Sequence, residues 1–250
     1  MTTARGGALV TGAGRRIGRA LALEAAAAGY AVAVHHRGSA EDAGEVVRAI
    51  EAAGGRAAAV AADLSEPGAC EALAEEAAAA VGPLTLLVNN ASVFEPDDAR
   101  TFTRQGWDRH LDANLHAPVA LTQAFAAALP DGEEGLVVNL LDQRVLKPSP
   151  PFFTYGLSKA ALWWATRTLA QALAPRVRVN GIGPGPTLQS VHQTGEDFAA
   201  EAEATLLGRA TSPEEIARAL RFLIDSPAVT GQMIAVDSGQ HLLWRTEDFW

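Results

Sequence analysis

Three side chains in this sequence have types and spacing suited to proton chemistry: Asp142, Tyr155 and Lys159. Tyr155 and Lys159 stand four apart in Thr154-Tyr155-Gly156-Leu157-Ser158-Lys159-Ala160. On a helix that spacing sets them on one face, a turn from each other. A fixed ammonium near a phenol favours the phenolate and lowers its pKa, as a proton donor working near neutrality requires. Asp142, thirteen residues before Tyr155, brings a carboxylate that accepts hydrogen bonds and donates none when ionised. The Tyr–Lys spacing alone also fits an exposed helical pair, so its meaning depends on the elements around it.

Those elements alternate. Short aliphatic and β-branched runs predict strands near Ala8–Val10, Ala31–His35, Ala57–Ala61, Thr85–Val88, Gly135–Leu140, Arg176–Asn180 and Met233–Val236. Ala/Glu/Arg-rich runs predict helices over about 15–28, 40–53, 66–81, 103–129, 154–174 and 212–225. The alternation implies βαβ units and a parallel sheet covered on both faces. The expectation is an α/β fold in one domain over 1–250, a doubly wound seven-stranded parallel sheet. The long irregular stretch, Gly181 to Gly195, is read as functional.

The first predicted strand runs into Thr11-Gly12-Ala13-Gly14-Arg15-Arg16-Ile17-Gly18. Glycines there allow a tight turn and bring backbone close to a pyrophosphate, whose charge suits a helix N-terminus. The second strand ends in His35-His36-Arg37-Gly38-Ser39, with no acid before Glu41. A site for NAD usually carries an acid there for the ribose hydroxyls. Arg15, Arg37 and Ser39 instead suit a 2′-phosphate, which favours NADPH; His35 has a supporting role. Asp63 and Leu64 fit an adenine-edge contact, and Asp63 fits equally well as a helix N-cap. Asn89-Asn90-Ala91 brings small and amide groups to the carboxyl edge of the sheet, where ligands of such folds bind.

Thr11-Gly12…Gly18, Asn89-Asn90-Ala91, Asn114, Tyr155…Lys159 and Pro184-Gly185 together resemble the short-chain dehydrogenase/reductase family along essentially the whole chain. The resemblance implies a Rossmann-type domain, a nicotinamide cofactor and a homotetramer. It implies Tyr155 as proton donor and Lys159 as the residue that binds the nicotinamide ribose and lowers the Tyr pKa. It also implies Asn114 as holder of a relay water, and contacts to the nicotinamide from Pro184, Gly185 and Thr187. Two positions depart from the family pattern: Arg16 replaces a usual Gly, and Asp142 replaces a usual Ser. Both departures, with Asn89-Asn90-Ala91-Ser92-Val93-Phe94, resemble the pteridine reductases. That resemblance implies NADPH-dependent reduction of dihydropterins, dihydrofolate or oxidised pterins.

The carboxylate supports the narrower resemblance. A ketone reductase needs a hydroxyl that donates to the carbonyl oxygen; an ionised Asp142 cannot donate and repels growing oxyanion charge. Beside a ring with N–H and NH₂ groups the same carboxylate is well matched. Phe94 is expected to stack on that ring, Arg16 and Ser92 to contact it, and Asp142 and Tyr155 to exchange protons with it. The substrate loop is expected over about 185–207, with Val191, His192 and Phe198 as candidate lining. The rivals are a broad NADPH-dependent carbonyl reductase and a non-catalytic NADPH-binding sensor.

The remaining features set bounds. The 250 residues are 48% hydrophobic but lack an uninterrupted apolar run long enough for a membrane span. The single Cys70 gives no metal-site spacing. A net charge of −9 argues against nucleic acid as partner. A cytoplasmic protein without metal, acting on a small molecule, is the expectation.

Overall fold

The computed structural model describes residues 5–244; the ends of the expected 1–250 domain, residues 1–4 and 245–250, lie outside the described residues. Seven strands form one parallel sheet: β1 (Gly7–Val10), β2 (Ala31–His36), β3 (Ala57–Ala61), β4 (Leu84–Asn89), β5 (Gly135–Leu140), β6 (Val177–Pro184) and β7 (Met233–Val236). Their order is β3-β2-β1-β4-β5-β6-β7, the doubly wound arrangement expected from the alternation. The chain crosses over between β3 and β4, so the order in which strands are added reverses between β1 and β4 while all remain parallel. At that switch point the carboxyl ends of neighbouring strands diverge and leave a crevice.

The core is two-sided because strand residues alternate faces. Ala8, Val10, Leu86, Val88, Leu136 and Val138 pack on one side with Leu21, Val46, Ile50, Ile216 and Leu220. These belong to α1 (Arg16–Ala27), α2 (Ala40–Ala52) and α8 (Pro213–Asp225). Leu9, Leu87 and Val137 face the other side, against Cys70, Leu73, Leu121, Phe125 and Ala170. Those come from α3 (Ala69–Val81), α5 (Ala117–Ala128) and α6 (Phe153–Leu173). Strands buried on both faces explain why they read as continuous apolar runs.

Three expected boundaries change. The helix expected over 103–129 is α4 (Arg104–Leu111), a π-helical turn over Asp112–His116, and α5. The extra residue of a π turn does not disturb apolar periodicity enough to be seen in sequence. Strand β6 continues past Asn180 to Pro184, because Gly181, Ile182, Gly183 and Pro184 pair with Met233, Ile234, Ala235 and Val236 of β7. A Cβ at Gly181 would lie 2.5 Å from Leu141 Cδ1, so glycine here serves strand packing rather than a loop. The helix expected from 66 begins at Ala69, with Gly68 as its N-cap at φ +77°.

A buried amide chain fixes α6 against the sheet. Asn89 Nδ2 donates to Asn139 Oδ1 at 2.9 Å, Asn139 Nδ2 donates to Thr166 Oγ1 at 2.9 Å, and Thr166 donates to the Leu162 carbonyl. The last residue of β4 and the penultimate residue of β5 are thereby tied to the helix that carries Tyr155 and Lys159. No helix among the described residues is long and apolar enough to cross a membrane.

Candidate active site

The glycine turn after β1 is built for close approach. Gly12 has φ +60°, and a Cβ on Gly18 would sit 2.1 Å from the Gly12 carbonyl oxygen. Asn90 closes the turn by donating from Nδ2 to the carbonyls of Thr11 and Gly12. Thr11 Oγ1 accepts from the N–H groups of Asn90 and Ala91 at 2.9 Å. His35 lies beneath the turn: Nδ1 accepts from Gly12 N–H at 3.1 Å and Nε2 donates to the Ala62 carbonyl. The accepting contact at Nδ1 requires the neutral ring, and burial holds its pKa below the ordinary value against the smaller upward pull of the Ala62 hydrogen bond. His35 is therefore a support for the turn, with both nitrogens committed to the protein.

Arg16 has φ +53°, which explains why glycine is usual there. Left-handed backbone costs a non-glycine residue about 1 kcal/mol. The Arg16 guanidinium offsets this by donating to the carbonyls of Leu188 and Gln189 at 3.2 and 3.0 Å. It thus ties the glycine turn to the loop after β6. Arg15 pairs with Asp42 on α2 at 3.1 Å, an acid the sequence reading did not bring near the turn. Arg37 is exposed at the end of β2, and Ser39 caps α2 without a side-chain bond. Asp63 accepts from Ser65 N–H and Oγ in a local turn; it is not the cap of α3, because that helix starts six residues later. Leu64 packs at the edge of the core beside it.

A cleft of about 360 Å³ opens at the crevice. Arg16, Ile17, Asn90, Ser92, Phe94, Asp142, Tyr155, Lys159, Pro184, Gly185 and Thr187, all singled out from sequence, line it. At its floor Tyr155 Oη donates to Asp142 Oδ2 at 2.9 Å. Asp142 also accepts from Arg144 N–H at 2.8 Å and pairs with the Arg144 guanidinium at 3.2 Å. Lys159 Nζ donates to the Leu140 carbonyl at 2.8 Å and lies 5.7 Å from the centre of the Tyr155 ring.

The electrostatics differ from the expectation in one respect. Burial, followed by the Asp142 charge and hydrogen bond, pushes the Tyr155 phenol well above its ordinary pKa; the opposing cation is Arg144, not Lys159. Burial lowers Lys159 to about 8, against a smaller upward pull from Asp142. The reason is positional: the ammonium is aimed at a carbonyl, whereas the guanidinium is paired with the carboxylate that touches the phenol.

Asn114 is fully buried in the π turn, and its side chain is saturated. Oδ1 accepts from Ser92 Oγ and Val93 N–H; Nδ2 donates to the Val93 carbonyl and Ser158 Oγ. No side-chain donor or acceptor is left for the relay water the resemblance implied, so that role could fall only to its main chain. What the side chain does is fix Ser92 and Val93, and so Phe94, against α6.

Phe94 does not present two open faces. Its ring stacks on Phe152 at 4.1 Å with 7° between planes, and meets Tyr155 edge-on at 4.7 Å. The Arg144 guanidinium lies 5.8 and 5.6 Å from the two phenylalanine centres. Phe152 holds φ +59° at the start of α6, a strained conformation for an aromatic residue in a ligand cleft. Thr187 Oγ1 is bonded to the Gly185 carbonyl and Thr211 Oγ1, so its hydroxyl stabilises its own loop. His192 and Phe198 line the cleft; Val191 is 92% exposed and does not.

The sequence reading missed Arg144, Phe152, Gln193, Glu201 and Gln240, all of which line the cleft. Arg144 had a local signal, being two residues after Asp142, because an Asp that caps a turn reaches the N–H two positions on. Gln193 and Glu201 fall within the loop expected over about 185–207 without being singled out there, and Phe152 and Gln240 had no local signal. A buried cluster behind the cleft also escaped notice. Thr154 Oγ1 contacts both Asp97 and His110 Nδ1, while His110 Nε2 accepts from Glu95 N–H.

The family model described as enoyl-(acyl carrier protein) reductase matches residues 12–241. The crystal structure of FolM alternative dihydrofolate reductase 1 from Brucella suis in complex with NADP superposes with a TM-score of 0.95. It is 46% identical, over the full length of both chains. The 3beta-hydroxysteroid dehydrogenase 1 of Eggerthella lenta is 36% identical over 94% of this chain and 93% of its own. The 3-oxoacyl-[acyl-carrier-protein] reductase FabG of Staphylococcus aureus is 32% identical over 94% of this chain and 98% of its own. With a switch-point crevice, a glycine turn, and Tyr155 and Lys159 facing one cleft, the chain belongs to the short-chain dehydrogenase/reductase family of oxidoreductases. Its full-length likeness extends to an alternative dihydrofolate reductase.

Proposed function

We propose that the protein is an NADPH-dependent reductase that adds hydride to a C=N bond of a pterin: a dihydropterin, dihydrofolate or an oxidised pterin. The observation that carries this reading is the Tyr155–Asp142 contact at 2.9 Å in a cleft where the Arg144 guanidinium pairs with the same carboxylate. The full-length similarity to a dihydrofolate reductase supports it.

The glycine turn fits a dinucleotide, since a side chain at Gly18 would fill the space beside Gly12. Gly12, Arg15, Arg16, Ile17 and Gly18 would hold the pyrophosphate, and Arg15, Arg37 and Ser39 the 2′-phosphate. Asp63 and Leu64 would border the adenine; Asn90, Ala91, Lys159, Pro184, Gly185 and Thr187 would border the nicotinamide riboside. When bound, NADPH supplies the hydride.

The protein's own contribution is the proton. Tyr155 and Asp142 share one across their contact, and the nitrogen next to the reduced carbon takes it. That transfer leaves a phenolate beside a carboxylate, which a buried site tolerates only with compensating cations. Arg144 and Lys159 supply them. Phe94 covers one face of a flat ring, and Phe152 must leave its stack for a ring to lie directly against Phe94. Ser92 and Arg16 border the same space.

A carbonyl reductase is the second reading, favoured by the relatives that are steroid dehydrogenase and 3-oxoacyl reductase. Against it stands the absence of a hydroxyl at 142 to donate to a carbonyl oxygen. NADPH oxidation with dihydrobiopterin, dihydrofolate and a panel of small ketones separates the two. Turnover of the pterins alone supports the first reading, and turnover of ketones alone the second. The homotetramer implied by family resemblance is supported by exposed Leu157 and Trp164 on α6.

A further inference from the structure

The cleft contains a second carboxylate, far from Asp142 in sequence and differently partnered. Glu201 lies on α7 (Gly195–Glu203) and lines the same cleft as Asp142 and Tyr155. Its Oε2 accepts from Gln193 Nε2 at 2.7 Å and its Oε1 from Gln240 Nε2 at 2.9 Å. Gln193 is itself fixed, with Oε1 accepting from Ser190 N–H. Among the described residues Glu201 takes part in no ion pair. The two arginines of the cleft are committed elsewhere: Arg144 to Asp142, Arg16 to loop carbonyls. A half-buried carboxylate is thus held by two neutral amides, each oxygen retaining a lone pair for a further donor.

Two carboxylate oxygens accept two parallel N–H bonds most strongly from a planar fork of donors, as in arginine–carboxylate pairs. The 2-amino-4-oxopyrimidine half of a pterin offers such a fork in its 2-amino group and ring N3–H. The other half of the pterin holds the C=N bond that is reduced and needs a proton donor. The cleft has one carboxylate for each half of the ring. Asp142 is coupled to the donor phenol, and Glu201 is coupled to no proton donor other than amides.

We propose that Glu201 is the specificity-determining residue that grips the 2-amino/N3–H edge of the substrate, orienting the reducible half toward Tyr155 and Asp142. This rests on the pterin reading above. Gln193 and Gln240 hold the carboxylate for that contact, which makes α7 and the C-terminal turn over Gln240–Leu242 part of the recognition surface.

The test compares two substrates, a dihydropterin and the dihydrolumazine that carries a 2-oxo group in place of the 2-amino group. In the wild type the lumazine carbonyl would face the Glu201 carboxylate. The expected result is a KM for the pterin lower by about tenfold or more, the discrimination typical of a site that leaves a polar group unpaired with the wrong ligand. In Glu201→Gln the side-chain amide donates to a 2-oxo group, so the preference should vanish or invert. NADPH affinity, measured in parallel, checks that the variant is folded. An unchanged pterin-to-lumazine ratio in E201Q overturns the inference while leaving pterin reduction intact. If the wild type reduces neither heterocycle, the pterin reading falls and this inference with it.

Discussion

The phenol of Tyr155 donates its hydrogen bond to Asp142 Oδ2 at 2.9 Å, and the same carboxylate is paired with Arg144 at 3.2 Å. Three charges or potential charges therefore meet at the floor of the cleft. Family members with a hydroxyl at 142 have a neutral donor there. Here the donor tyrosine faces an anion, and a guanidinium balances it.

Removing that anion should separate the substrates. Asp142→Asn keeps the shape of the side chain but replaces one accepting oxygen by a donor. Pterin turnover is expected to fall about 100-fold, the lower range for loss of a positioned proton-transfer group. Ketone turnover should hold or rise, since the amide donates to a carbonyl oxygen. Steady-state kcat/KM on both substrate classes measures this.

Arg144→Gln should be worse than a surface change. The Asp142 carboxylate is 13% exposed and would lose the cation it is paired with. Leaving a group that is mostly buried under-satisfied costs about 1–3 kcal/mol. The cation beside the Phe94–Phe152 pair would also be lost. A lowered Tm, read in thermal melts beside the wild type, is the expected result.

The pH dependence of activity should have an alkaline limb set by Lys159. Burial lowers its pKa from 10.5 to about 8, so the ammonium is present below about 8 and is lost as the pH rises through it. Stability should move the other way. Between about 8 and 10.5 the unfolded chain binds more protons at this residue, so its contribution to folding improves with rising pH. Lys159→Arg keeps the charge and should remove the limb from the profile while lowering kcat.

Two buried histidines predict weakness in acid. His35 accepts from Gly12 N–H, and His110 accepts from Glu95 N–H; protonation would set two N–H groups against each other at each site. Burial lowers both pKa values from 6.5. Their contribution is full above pH 6.5 and is lost as the pH falls from there through the lower folded values. Thermal melts should show Tm dropping below pH 6.5, with less of a drop in His110→Gln. Cofactor affinity should weaken in the same range, because His35 supports the glycine turn.

Gly18→Ala should abolish NADPH binding at little cost to the rest of the sheet. The added Cβ would lie 2.1 Å from the Gly12 carbonyl oxygen and 2.6 Å from Asn90 Nδ2, so the turn must open. Fluorescence titration with NADPH would show no saturation.

Much of this was legible in the sequence. The central strands announced themselves because they are buried on both faces, and Asp142, Tyr155 and Lys159 because their spacing is local to one strand end and one helix. The π turn at Asn114 was hidden, since Asp112–His116 keeps helical composition throughout. The extension of β6 was hidden by Gly181, Gly183 and Pro184, which read as loop residues until β7 is known to pair with them. Arg16 was read as a ligand contact; that it holds left-handed backbone and clasps the loop at Leu188 and Gln189 depends on tertiary structure. Phe152, Glu201 and Gln240 reach the cleft from segments that no local pattern links.

The most direct measurement is kcat/KM for dihydrobiopterin and for a small ketone, in the wild type and in Asp142→Ser. The prediction is wild-type turnover of the pterin in clear excess over the ketone, with the ratio reversed in the serine variant. Pterin turnover undiminished in the variant, beside high ketone turnover in both proteins, would contradict the role given to Asp142 and leave a general carbonyl reductase.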